Sequence, residues 1–99
     1  MKEDFEKVIV EFNNTAAKIY SILFRQFSKS IRGLNRNEEE NVFNMQAAKF
    51  ADSLKYQLEE QVKKVLEVSD AEIHDQLQSA CSARIHFYLQ EFQIKCKAL

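Results

Sequence analysis

Proline and tryptophan are absent from this 99-residue chain, and glycine occurs once, at Gly33. A single glycine leaves no glycine-rich phosphate loop, so neither a P-loop nor a dinucleotide-binding turn is encoded. Charge of one sign is not in excess either. The 14 basic residues meet 15 acidic ones for a formal net charge of -1, and this balance steers the chain towards neither nucleic acid nor an anionic membrane. No stretch approaches the ~20 apolar residues that span a bilayer. The opening MKEDFEKVIVEFNN breaks its apolar residues with charge too often to be a signal-peptide core. The chain is accordingly read as soluble and cytoplasmic.

Cysteine is scarce and badly placed for a bridge. Cys81 and Cys96 fall in one expected helix, where their spacing corresponds to roughly 22 Å of rise, far beyond the ~7 Å Cα separation a disulfide tolerates. Asn13-Asn14-Thr15 matches a glycosylation sequon but lies inside a helical pattern with no secretion signal, and is read as chance.

What is present is helical periodicity in three long segments. The spacing predicts helices over about 4–31, 38–67 and 70–97, within one domain covering 1–99. The first break is SIRGLNRNEEEN. There Gly33 supplies a turn residue, Asn35 and Asn37 are candidate N-caps, and Glu40 stands at capping-box distance from Asn37. The second is EVSDAEIHDQL, where Ser69 and Glu72 have the same spacing. Short connections turn consecutive helices back on one another, so the expected fold is all-α, an up-down-up bundle of three antiparallel helices. In dimensions it resembles a spectrin-type repeat, although the tryptophan usual in that family's first helix is missing and no membership follows.

On a wheel of 100° per residue, the first helix gathers Phe5, Val8, Ile9, Phe12, Ala16, Ile19, Tyr20, Leu23, Phe24, Phe27 and Ile31 into one core arc. The opposite side carries Lys18, Arg25, Lys29, Arg32 and Arg36, with no acid between Phe12 and Asn37. Such a stripe fits contact with the phosphates of nucleic acid or of an anionic surface. It also fits helix electrostatics, which place acids at the N-termini and bases at the C-termini of all three helices. The second helix expects Phe43, Ala47, Phe50, Ala51, Leu54, Leu58, Val62, Val65 and Val68 inside, with Met45 and Tyr56 on a polar flank.

The third helix has two apolar stripes. Cys81, Ile85, Tyr88, Leu89, Phe92, Cys96 and Leu99 are expected to face the other helices. Ala80, Ala83, Phe87, Ile94 and Ala98 form the second stripe, separated from the first by Arg84, Glu91 and Lys95. A helix with one buried face is not patterned this way, and the second stripe is read as an interface, for a homodimer or for another helical protein.

Catalytic chemistry has little to stand on. His74 and His86 are roughly 18 Å apart by helix rise and cannot share a metal, and Ala71 and Ala83 stand where a di-iron bundle would place carboxylates. Two turns separate His74 from Cys81, about 10 Å of rise, so the imidazole cannot act as that thiol's base. The expectation is a non-catalytic helical protein-protein interaction module with no cofactor, metal or membrane span. Nucleic-acid or anionic-surface binding through the basic stripe is the second reading. A bundle holding a small apolar ligand is the third, because eight phenylalanines make a core that need not close completely.

Overall fold

The computed structural model describes the backbone of residues 2–35 and 37–98, and the side chains of 5–35 and 37–97. Three α-helices follow in order: α1 (Lys2–Ser30), α2 (Glu40–Glu67) and α3 (His74–Ala98), the last entered through a 3₁₀ turn at Ala71–Ile73. Among the described residues there is no strand. The helices pack against one another into a rod of 54 × 20 × 17 Å.

Each helix buries one stripe of its surface. Phe12, Ala16, Tyr20, Leu23 and Phe27 of α1 meet Phe43, Phe50, Leu54, Leu58 and Val62 of α2 and Cys81, Ile85 and Phe92 of α3 in one core cluster. The steps of three, four and seven between these residues keep them on one side of a 3.6-residue helix. Among the described residues no charged side chain is buried. Leu54, Leu58 and Leu77 are wholly buried, each contributing about 1.5–3 kcal/mol of transfer free energy.

Aromatic rings dominate the part of the core near the α1–α2 turn. Phe50 and Phe92 stack with centroids 3.8 Å apart, Phe27 meets Phe92 edge-on at 5.0 Å, and Phe27 meets Phe43 at 5.8 Å. These rings hold all three helices together, and edge-to-face or offset pairs add roughly 0.5–1.5 kcal/mol each beyond area burial.

The first break is organised differently from the expected capping box. Gly33 takes φ +84, a left-handed conformation that L side chains rarely adopt, and this ends α1. Asn35 then becomes the centre of the turn. Its side-chain oxygen accepts from the Asn37 amide at 3.1 Å, its carbonyl accepts from the Glu38 and Glu39 amides, and its own amide donates to the Glu39 carboxylate at 3.0 Å. Because α2 starts at Glu40, Asn37 lies too far upstream to cap it, and Glu39 holds the N-cap position with no side-chain cap bond.

The second break also departs from expectation. Ser69 does not open α3; its hydroxyl donates to the Val65 carbonyl at 2.6 Å and its amide to Leu66, closing α2. The 3₁₀ turn shifts the N-cap to Asp70, whose extended backbone makes no side-chain cap bond. The serine is thus free to satisfy a carbonyl orphaned at the end of α2. Val68, expected in the core, is instead 83% exposed because α2 has ended one residue earlier.

Candidate functional site

Among the described residues, the expected interface stripe of α3 lies at the surface except at Ala80. Ala83, Phe87 and Ile94 are exposed, the last two by 45% and 62%, and Ala80 is half-buried. The Ala98 side chain and Leu99 lie outside the described residues. Phe87 does not stand alone, since the Arg84 guanidinium lies 5.4 Å over its ring and Tyr88 meets it at 5.3 Å.

The charged seam beside that stripe has a specific partner. Lys95 lies over two α1 rings, 4.9 Å from the Tyr20 centroid and 4.7 Å from that of Phe24. A lysine stem can cover aromatic surface while its ammonium stays near water, so α1 accounts for this member of the seam. Tyr20 itself is 7% exposed and stacks on Tyr88 at 5.0 Å. Its hydroxyl finds no hydrogen-bond partner among the described residues. Burial raises the phenol above its usual range; nearby Lys95 opposes that rise electrostatically without hydrogen-bond geometry to the oxygen.

The basic stripe is at the surface too. Lys18, Arg25, Lys29 and Arg32 are exposed, and Arg36 lies outside the described residues. The sequence pattern did not anticipate that Ile22, 55% exposed, shares this side of α1, or that Val10 is 57% exposed.

Groups with chemical potential are scattered. Cys81 is wholly buried, and burial pushes its thiol up to about 11, which keeps it protonated and inert at neutral pH. Cys96 is half-buried, and no disulfide joins it to Cys81. His74 does not turn to Asp70 but places Nε2 3.0 Å from the Ser69 carbonyl, as a donor in the tautomer protonated there. His86 pairs with Gln90 at the surface. Among the described residues no three His, Cys, Asp or Glu side chains group as metal ligands, and no helix is long and apolar enough to cross a membrane.

A groove that periodicity alone did not reveal runs between α2 and α3. Ala47, Ala48 and Ala51 take up little space opposite Leu89, Phe92 and Cys96, leaving a cavity of about 480 Å³ open to one side. Its sequence signal is the group of alanines on α2, of which Ala47 and Ala51 count in the periodic pattern only as part of the core face.

Comparison with protein-family models, with curated proteins and with solved structures finds no match to this chain.

Proposed function

We propose that the chain is a non-catalytic helical protein-protein interaction module that self-associates as a homodimer through the outward side of α3. The supporting observation is the exposure of Phe87 and Ile94, by 45% and 62%. They stand two helical turns apart on one side, flanked by Ala80 and Ala83. Small flanking residues allow a second α3 to approach closely.

Magnitudes set the strength of such a dimer. The uncovered parts of Phe87 and Ile94 together equal about one large side chain, worth about 1.5–3 kcal/mol per protomer once covered. Association costs at least about 4 kcal/mol. The pair therefore anchors a weak, concentration-dependent dimer and relies on close backbone approach for the remainder.

An up-down-up course belongs to the same reading. Residues 68–73 reach about 20 Å when fully extended, whereas α2 is roughly 42 Å long, so the stacking of Phe50 on Phe92 is most simply met when α3 runs back along α2. A chain with no disulfide between its two cysteines accords with a reducing, cytoplasmic setting.

Sedimentation equilibrium over a wide concentration range tests the proposal. Wild type is expected to self-associate, and Phe87→Glu with Ile94→Lys to remain folded and monomeric. A monomeric wild type whose double variant unfolds would assign the stripe to the fold and end the dimer reading.

The second reading, nucleic-acid or anionic-surface binding, is favoured by one observation. Lys18, Arg25, Lys29 and Arg32 are exposed, and none has an ion-pair partner among the described residues. If it holds, wild type binds nucleic acid with a steep salt slope, and replacing these bases and Arg36 by glutamine removes affinity and slope together.

A further inference from the structure

The groove between α2 and α3 has a composition that points to one kind of occupant. Its floor is apolar, made by Ala47, Ala51, Leu89 and Phe92. Lys55 and Lys97 line it as well, and among the described residues no acidic one does; the remaining polar side chains there are the amides of Asn44 and Gln93. An apolar trough with cations and no counter-charge suits a molecule that is itself apolar along its length and anionic at one end.

Size narrows the choice. The cavity of about 480 Å³ falls within the ~300–1,000 Å³ typical of ligand pockets. Three turns of helix with a diameter of ~10 Å would displace on the order of 1,300 Å³. Such a helix would ride above the groove rather than fill it, whereas a single hydrocarbon chain lies within it.

From this we infer that the α2/α3 groove binds a single-chain aliphatic carboxylate. The chain covers the Ala47, Ala51, Leu89 and Phe92 floor, and the carboxylate pairs with Lys55 or Lys97. In the up-down-up arrangement Lys55 and Lys97 flank opposite ends of the floor, so the head group can be held at either end. The inference does not require self-association through Phe87 and Ile94, which lie on another side of α3.

Titration calorimetry of the full chain with octanoate, decanoate and dodecanoate, below their micelle concentrations, tests it, with dodecyltrimethylammonium as the cationic match. Affinity is expected to rise roughly fourfold for each added methylene and the cation to bind more than tenfold more weakly than dodecanoate. Lys55→Glu with Lys97→Glu is expected to weaken dodecanoate more than tenfold with an unchanged thermal melt. Ala48→Trp, which fills the groove from an exposed wall, is expected to abolish binding. Equal binding of the cation, no dependence on chain length, or retention of wild-type affinity by the charge-reversed variant would overturn the assignment. So would a wild-type dimer that Ala48→Trp dissociates, since a second copy would then be the groove's occupant. If Ala48→Trp fails to fold, the charge reversal and the chain-length series still decide.

Discussion

The two ends of the bundle are built from different materials. Near the α1–α2 turn, Phe27, Phe43, Phe50 and Phe92 lock three helices through ring contacts as close as 3.8 Å. At the α2–α3 connection no such cluster of rings forms among the described residues, and a recess of about 360 Å³ lies between Val8 and Glu11 of α1 and Val68, Ser69 and Ile73. Hydrogen bonds tie the connection itself, from Ser69 to Val65 and between His74 and Ser69. Ring packing is cooperative and hard to rearrange, whereas one serine and one histidine tie the connection at small energetic cost. The aromatic end is expected to be the last to open, and the connection the first.

The contrast can be broken most forcefully at the aromatic end. Phe92→Ala removes a ring shared by Phe27 and Phe50 and should cost about 3–5 kcal/mol in urea unfolding. Leu77→Ala, near the other end, should cost about 2–5 kcal/mol, because Leu77 is wholly buried but stands outside the main core cluster and its surroundings can relax. If Leu77→Ala proves much the worse of the two, the ranking of the ends is wrong. Ser69→Ala should cost only about 0.5–1.5 kcal/mol, the net worth of one hydrogen bond. Amide exchange should also quicken at residues 66–74 and not around Phe50. An effect spread evenly over the rod would contradict separate ends.

A gentler probe uses pH. Cys81 carries a thiol raised by burial from 9.0 to about 11, and Tyr20 is raised by burial as well. For these groups the unfolded state loses its proton first, so stability is constant below about pH 9 and falls as pH rises towards 11. Denaturant midpoints measured from pH 8 to pH 11 should fall accordingly, and Cys81→Ala should reduce that slope although it lowers stability at every pH.

Helix existence and the main buried faces were legible because burial imposes a 3.6-residue period on apolar residues. Phe12, Ala16, Leu54, Leu58, Cys81 and Phe92 are all where that period puts them. The caps were not legible, since Asn35, Asn37, Glu39 and Glu40 at one break, and Ser69 and Asp70 at the other, are rival partners for the same few backbone groups. One residue of shift in helix start decides among them, and a wheel does not resolve one residue. The partner of the α3 seam was not legible for a related reason: a wheel shows that Lys95 stands between two apolar stripes but not that Tyr20 and Phe24 of another helix lie beneath it. The groove escaped notice because alanine counts as apolar in a periodic pattern while contributing almost no volume.

The rod's proportions bear on how its association is weighed. A radius of gyration of 16.0 Å exceeds the ~13 Å of a compact chain of this length. Elongation raises hydrodynamic friction, so a single copy elutes early from a gel-filtration column and its overall tumbling is faster about the long axis than across it. Early elution is therefore what a monomer of this shape gives. Buoyant mass, which is indifferent to friction, is the quantity that separates one copy from two, and anisotropic ¹⁵N relaxation along the three helices would report the same elongation independently.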